Sequence, residues 1–269
     1  MSGVTGTPRI ESRESFNKIL RSYKKTLESF GLPIVDIIPS GSFISQPNKT
    51  TFGDMDLIIE FQGIRDKKDA KKILIDKKDF FLPFISDKYK GRTYYNSGEI
   101  ITFNYQGCQI DNIISLSKEE SNFKSNFLNL TAETQGLLLG LVKIAIQYNP
   151  KLLSNLGLYY TSSNVLEFNV SSKELQLREI TYIPDTFITK SKIIIWTSQD
   201  WNYIRLILDS FNINKIEYNE LINIIRKLDS RSKRRIKGTF NSMVTIKSGE
   251  IGTKKGLNKE RYKIEVNSI

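Results

Sequence analysis

A pair of aspartates near residue 55 has the spacing of a metal site. Asp54 and Asp56 flank Met55 in a run of strand-forming residues, and eleven residues separate them from a Gly41-Ser42 turn. Because side chains alternate between the two faces of a strand, the carboxylates are predicted to share one face while Met55 and Leu57 point into a core. Mg²⁺ takes carboxylate and phosphate oxygens as ligands. The pair therefore favours binding of a divalent metal ion together with phosphate groups.

The Gly41-Ser42 turn supplies groups that suit a phosphate. Glycine lets the backbone come close, and a serine hydroxyl with the amides of a following helix start can donate hydrogen bonds. Two divalent ions about 3.5 to 4 Å apart stabilise both the attacking and the leaving oxygen of an in-line displacement. Asp-x-Asp and Gly-Ser are each common by chance, but their spacing, with a predicted strand over 34–38 before the turn, favours metal-dependent nucleotidyl transfer.

The run GSFISQPNKTTFGDMDLI resembles the signature of the DNA polymerase β-like nucleotidyltransferase superfamily. That signature is Gly-[Gly/Ser], a gap of similar length, then Asp-apolar-[Asp/Glu]-apolar. The resemblance implies a third carboxylate on a later strand of the same sheet, and Asp111 in the run CQIDNII matches it. An edge-strand aspartate facing water is the alternative for Asp111. This chain departs from the pattern in having Ser40, not an apolar residue, before the glycine.

Roles for the matching residues follow from the resemblance. It implies that Asp54, Asp56 and Asp111 bind two Mg²⁺ or Mn²⁺ ions, with Asp111 next to the acceptor hydroxyl that it helps to deprotonate. It also implies that Gly41 and Ser42 contact the phosphates of a nucleoside triphosphate. The catalytic residues are thus expected to be the three aspartates.

The residues around Asp111 are typical of a hairpin. Gln106-Gly107 separates two runs of strand character, 99–105 and 108–115, in the manner of a tight turn. An acid on an otherwise apolar strand is costly to bury without a partner, and a metal ion would be such a partner.

Several kinds of active site are excluded by composition. The chain has no histidine, which excludes Ser-His-Asp and Cys-His catalysis and histidine metal sites. Its one cysteine, Cys108, excludes disulfides within the chain and zinc-thiolate centres. A catalytic site here must use carboxylates, lysines, hydroxyls or backbone groups, which indicates a hard metal ion.

Positive charge is concentrated near the C-terminus. The net charge is +11, and residues 231–269 contain eleven Lys or Arg and three Glu. Clusters of this kind bind nucleic-acid phosphates, although a solvated tail is the alternative. Beside a nucleotidyl-transfer motif the cluster favours nucleic-acid binding, with these candidate residues: Arg231, Lys233, Arg234, Arg235, Lys237, Lys254 and Lys255.

The order of elements predicts an α/β (α+β) fold with a small mixed sheet, flanking helices and a mainly helical C-terminal region. A catalytic domain is predicted over 1–129 and a C-terminal domain over 130–269, with a basic tail over 231–269. Helices are predicted over 12–30, 66–77, 131–148, 172–180, 198–211 and 218–228, and strands over 34–38, 54–61, 92–95, 99–105, 108–115, 165–170 and 192–196. The polar run 118–129 is predicted to be a boundary.

No segment is apolar enough to predict insertion into a membrane, and no membrane is expected as a partner. The N-terminus has no apolar signal core, and the longest apolar stretch, near 136–142, is too short to cross a bilayer. A cytoplasmic location is expected, and it is the host cytoplasm if the source is viral.

Three functions stay open on the sequence. The leading one transfers a nucleoside monophosphate from a triphosphate to the 3′ hydroxyl of DNA or RNA and releases pyrophosphate. The second modifies a small molecule or a protein hydroxyl, which does not require a basic tail. The third is a non-catalytic nucleic-acid binding protein, against which the presence of all three acids argues.

Overall fold

The chain forms two compact units, Met1–Thr131 and Ala132–Ile269. The computed structural model describes residues 5–155, 157, 164–169, 173–182 and 189–250. Each unit has its own sheet, of five strands in the first and three in the second. The prediction of a mixed α/β fold with a small mixed sheet is confirmed, while its assignment to the nucleotidyltransferase type stays a prediction.

The first unit contains four helices and five strands among the described residues. The helices are α1 (Arg13–Ser29), α2 (Ser42–Ser45), α3 (Lys67–Ile75) and α4 (Lys118–Leu128), with one 3₁₀ turn at Lys78–Phe80. The strands are β1 (Ile34–Pro39), β2 (Met55–Phe61), β3 (Tyr94–Ser97), β4 (Ile100–Tyr105) and β5 (Cys108–Ser115).

The five-stranded sheet has the order β1-β2-β5-β4-β3. β2 and β5 run parallel, whereas the other neighbouring pairs are antiparallel. A parallel pair needs a crossover connection, and α3, β3 and β4 lie in that connection. The sheet is therefore mixed, with β2 and β5 at its centre.

One face of this sheet packs on α1 and α3. The core combines apolar residues from both helices with alternate residues of the strands: Phe16, Leu20, Tyr23, Leu27, Met55, Leu57, Ile59, Phe61, Ala70, Leu74, Phe103, Ile110 and Ile114. Helix α1 begins after Ser12, whose side chain accepts a hydrogen bond from the Ser15 amide. The apolar face predicted for this helix is the buried one.

Helix α4 covers part of the other face. It contacts β2 and β5, and Ser121 Oγ donates to Ser115 Oγ at 2.9 Å. Residues 118–129, which were predicted to be a boundary, contain this helix, and the two units divide just after it. Hydrophobic periodicity does not predict this helix, because two of its buried residues, Glu120 and Lys124, are charged and form an ion pair.

The second unit contains five helices and three strands among the described residues. The helices are α5 (Ala132–Tyr148), α6 (Lys151–Asn155), α7 (Trp201–Asp209), α8 (Tyr218–Lys227) and α9 (Ser230–Glu250). The strands β6 (Asn164–Asn169), β7 (Glu174–Tyr182) and β8 (Thr189–Ser198) form an antiparallel sheet in chain order.

The helix predicted over 172–180 was wrong, because these residues lie largely in β7. This strand is the central one and pairs with both neighbours. Leu175 and Leu177 are buried at the period of a strand. Cross-strand pairing outweighs the local helix propensity of the segment.

Within the described ranges, none of the helices is both long and apolar enough to cross a membrane.

Candidate active site

The five-stranded sheet brings Asp56 and Asp111 side by side. β2 runs parallel to β5, and the two aspartates are in register. Residues in register share a face of the sheet, and the backbones of neighbouring strands lie about 4.8 Å apart. Met55 and Leu57 point to the opposite face, into the core. The two carboxylates are therefore neighbours on the face away from α1 and α3.

Gly41 lies against the carboxylate of Asp56. It precedes α2 with φ 67° and ψ −143°, a conformation that favours glycine. A Cβ at this position would be 2.0 Å from Asp56 Oδ2. The Ser40 amide donates to the Asp56 carbonyl at 2.9 Å and fixes the turn at the start of β2. Glycine is therefore required both for its φ angle and for this close approach.

Ser42 is the first residue of α2, and packing on α1 holds this short helix in place. Phe43 stacks on Phe16 with ring centroids 3.9 Å apart. Arg13 donates to the Phe43 carbonyl at 2.6 Å, and its guanidinium lies 4.2 Å from the centroid of the Phe43 ring. Contacts from helix α1 therefore hold the Gly41-Ser42 turn in place.

Asp54 lies one residue before β2 and is close to two cations. Burial raises the pKa of the Asp54 carboxyl, while Lys49 and Arg9 act in the opposite direction. Burial also lowers the pKa of the Lys49 ammonium, and the charges of Asp54 and Asp56 oppose this effect. Lys49 therefore lies within electrostatic reach of both carboxylates. Neither cation was identified from sequence, because a single basic residue in a loop has no distinguishing pattern.

Two neutral side chains orient Asp111. Thr102 Oγ1 donates to Asp111 Oδ1 at 2.7 Å, and Gln109 Nε2 lies 3.2 Å from each carboxylate oxygen. Thr102 is opposite Asp111 in the β4-β5 ladder. The Gln106-Gly107 turn, in which both residues have positive φ, fixes this register. Counting back from the predicted hairpin turn would have identified Thr102 from sequence alone.

The acidic residues fit a hard divalent ion chemically. Their donors are all oxygens, which Mg²⁺ and Mn²⁺ prefer, and the turn at Gly41 approaches Asp56 without covering it by a side chain. Among the residues that the structure describes, no group of three or more His, Cys, Asp or Glu is arranged to hold a metal ion. Asp56 and Asp111 form an adjacent pair, whereas Asp54 lies outside the strand. A three-aspartate centre thus stays a prediction.

The predicted nucleic-acid-binding residues belong partly to a helix in the second unit. α9 carries Arg231, Arg234 and Arg235 on an exposed face, while Lys233 and Lys237 are half-buried. Arg235 donates to Gln147 Oε1 at 2.6 Å. Two further candidates, Lys254 and Lys255, lie outside the described residues.

The start of α9 is part of a core, which corrects the prediction of a tail beginning at 231. Ile236 and Phe240 are buried against α5. A Cβ at Gly140 would be 2.7 Å from Ile236 Cγ2, and one at Gly136 would be 2.8 Å from Phe240 Cδ2. The two glycines let the helices approach closely, so residues 231–240 are a structural part of the second unit.

No protein-family model matches this chain. The functional inference therefore depends on the residues of the site and their geometry. In that geometry, Asp56 and Asp111 form a pair on a central parallel strand pair, and the glycine turn and Thr102 lie next to them.

Proposed function

We propose that the protein is a metal-dependent nucleotidyltransferase of the DNA polymerase β-like type. It transfers a nucleoside monophosphate from a triphosphate to the 3′ hydroxyl of a nucleic acid and releases pyrophosphate. The observation that carries the proposal is the register of Asp56 with Asp111 on β2 and β5, together with the close approach of Gly41 to Asp56. These contacts join residues that the sequence motif predicted to act together.

The acidic residues and their neighbours have separate roles in this proposal. Asp54, Asp56 and Asp111 would hold two Mg²⁺ or Mn²⁺ ions, which, when bound, neutralise charge on the triphosphate and on the attacking and leaving oxygens. Gly41 and Ser42 provide backbone and hydroxyl donors for phosphate oxygens. Lys49, with Arg9, adds positive charge near Asp54 at the start of β2. These cations favour binding of the anionic triphosphate.

The acceptor hydroxyl would lie beside Asp111. Its oxygen forms a bond to the α-phosphorus, the bond from that phosphorus to the bridging oxygen breaks, and pyrophosphate leaves. The hydroxyl proton passes to the Asp111 carboxylate. Thr102 and Gln109 hold this carboxylate in one orientation, which keeps it aligned for proton transfer.

A nucleic-acid acceptor is favoured by the basic face of α9. Arg231, Arg234 and Arg235 are exposed on one face of α9, so their charges can contact successive phosphates. Such binding is expected to weaken as salt is raised, because each phosphate contact releases a counterion. A small molecule as acceptor would make transfer insensitive to these residues.

The test is incorporation of each labelled ribonucleotide and deoxyribonucleotide onto DNA and RNA 3′ ends with Mg²⁺ or Mn²⁺. Asp56→Asn keeps the shape of the side chain and removes its charge, so transfer is expected to fall by at least about 100-fold, more than loss of an outer-shell contact costs. Asp36→Asn, at a carboxylate on β1 that pairs with Lys118, is the matched control and should retain transfer. Full activity of Asp56→Asn would refute the assignment, and transfer onto small molecules or proteins alone would refute the acceptor.

A further inference from the structure

The row of residues that contains the two aspartates continues to an edge of the sheet. Asp56 is in register with Asp111, Asp111 with Thr102, and Thr102 with Tyr95 on β3. In-register residues share a face, so Tyr95 lies on the face of the carboxylates, two strands or about 10 Å from Asp111. A nucleic-acid strand that extends from the carboxylates across β4 would therefore reach Tyr95 on β3.

Tyr95 is part of an aromatic and cationic surface. Its ring centroid lies 4.7 Å from that of Tyr89, with 56° between the ring planes. Lys88 Nζ is 5.1 Å and Arg92 Cζ is 5.8 Å from the centroid of the Tyr89 ring. Both tyrosines are half-exposed, and both cations are exposed. We call these four residues, Lys88, Tyr89, Arg92 and Tyr95, the β3 surface.

The charge around the β3 surface suits a polyanion. Residues 87–92 carry three cations and one acid. A groove of about 490 Å³ follows the same strand, and its lining includes Lys78, Arg92 and Asn96. Rings with exposed area beside cations are the combination by which proteins hold single strands, since bases stack on the rings and phosphates contact the cations.

Hydrogen bonds and a ring contact within the loop that carries Tyr89 hold its conformation. Phe84 is buried, its amide donates to the Arg92 carbonyl at 2.7 Å, and the Gly91 amide donates back to the Phe84 carbonyl at 3.2 Å. Phe84 also contacts the Tyr89 ring edge-on, with centroids 6.4 Å apart. The loop therefore presents Tyr89 and Arg92 in a defined orientation.

The N-terminal segment connects this loop to the carboxylates. The Thr5 carbonyl accepts from the amides of Ile85, at 3.0 Å, and Ser86, at 3.1 Å. The Thr5 amide donates to Gln109 Oε1 at 3.4 Å, and Gln109 in turn donates to Asp111. Because the Tyr89 amide donates to the Ser86 carbonyl at 3.0 Å, a chain of hydrogen bonds connects the loop that carries Tyr89 to Asp111.

We propose that the β3 surface binds the unpaired 3′-terminal segment of the acceptor strand, with bases on Tyr89 and Tyr95 and phosphates at Lys88 and Arg92. This inference rests on the proposed function and names the site that would deliver the acceptor hydroxyl to Asp111. A single strand fits better than a duplex, because stacking on the rings requires base faces that a duplex keeps covered.

The test measures binding separately from transfer. A labelled oligonucleotide, single-stranded DNA in one arm and RNA in the other, is titrated with protein in chelator and followed by fluorescence anisotropy. Tyr89→Leu and Tyr95→Thr, which remove the rings and keep an apolar or strand-forming side chain, should each weaken binding roughly tenfold, the scale of one lost stack. Tyr89→Phe and Tyr95→Phe keep the rings and should bind like the native protein.

Charge variants give an independent readout. Arg92→Gln should reduce the slope of log affinity against log salt by about one. Lys18→Gln, on the exposed side of α1, should leave the slope unchanged. In transfer assays, the tyrosine variants should raise the KM for the acceptor and leave the KM for the triphosphate unaltered.

The outcomes separate this inference from the proposed function. Tyrosine-dependent binding of single strands without any transfer would refute the proposed activity and support the surface. Transfer that proceeds with native acceptor KM in folded Tyr89→Leu and Tyr95→Thr would overturn the surface alone. The proposed role of the β3 surface would also be refuted if native protein failed to bind single strands. The same holds if duplex binding depended equally on the Tyr89 and Tyr95 rings. Tighter binding of RNA or DNA would identify the acceptor's sugar.

Discussion

Two groups of acidic side chains near β5 differ in the ion pairs and hydrogen bonds that hold them. At the carboxyl end of the strand, Glu99 and Glu120 contact Lys67 and Lys124 in a compact ion cluster. Lys124 Nζ lies 2.7 Å from Glu99 and 2.6 Å from Glu120. Four residues before the end of the same strand, Asp111 accepts hydrogen bonds from a hydroxyl and an amide.

The difference indicates which group is structural. Two carboxylates with two ammonium groups satisfy each other, so the ion cluster needs no added ion, and its burial by α4 is possible only because it is paired. Hydrogen bonds from Thr102 and Gln109 fix the orientation of the Asp111 carboxylate. Adjacent carboxylates such as Asp56 and Asp111 are suited to a divalent cation from solution, since a bound cation reverses the local sign of charge.

Breaking the ion cluster should have the largest effect on stability. Lys124→Met leaves Glu99 and Glu120 buried without their main cation, which is expected to cost about 3–5 kcal/mol of unfolding free energy. Urea unfolding at neutral pH measures it. Lys118→Met removes an exposed lysine that pairs with Asp36 at 3.3 Å, and it should cost under about 1 kcal/mol. Equal losses in the two variants would mean that the cluster is not structural.

Disturbing the contact between Gly41 and Asp56 should instead reduce nucleotidyl transfer. Gly41→Ala places a methyl 2.0 Å from Asp56 Oδ2 and should reduce transfer about 10- to 100-fold, with a stability cost of about 1–3 kcal/mol from the φ angle.

Gly31→Ala is the matched control for that change. Gly31 also has positive φ, at 63°, but nothing lies within 4 Å of the added Cβ. It should lose similar stability and keep full transfer. Equal loss of transfer in both variants would show that backbone strain, not contact with Asp56, is responsible.

The pH dependence of stability is a weaker test of the ion cluster. Burial alone would raise the pKa of Glu120, but Lys124 and Lys67 hold it below its ordinary value of 4.5. Burial would lower the pKa of Lys67, but Glu120 and Glu99 raise it above its ordinary 10.5. The Glu120 contribution is therefore present above pH 4.5 and lost as pH falls through the folded pKa, while that of Lys67 is lost as pH rises through its own.

Unfolding midpoints across pH should thus show a plateau with a decline on each side. Glu120→Gln should weaken the acidic decline. An acid limb unchanged by that substitution would show that other carboxylates cause it.

Sequence patterns predicted which residues lie together better than they predicted the elements around them. Gly41, Asp56 and Asp111 lie together as expected, because turn, strand and hairpin patterns depend on local residues and the hairpin fixes register. Helix α4 was missed because Glu120 and Lys124 are buried by partners distant in sequence, which no periodicity reveals. The helix predicted over 172–180 is instead strand β7, because its pairing with β6 and β8 depends on residues distant in sequence.

The packing of α9 on α5 also sets the direction in which its arginines face. Ile236 and Phe240 fit against Gly140 and Gly136, so the helix has one rotational setting. Inserting a single residue between Arg235 and Ile236 would turn the arginines by about 100° around the helix axis. The contacts at Gly136 and Gly140 therefore determine the direction in which the basic face of α9 points.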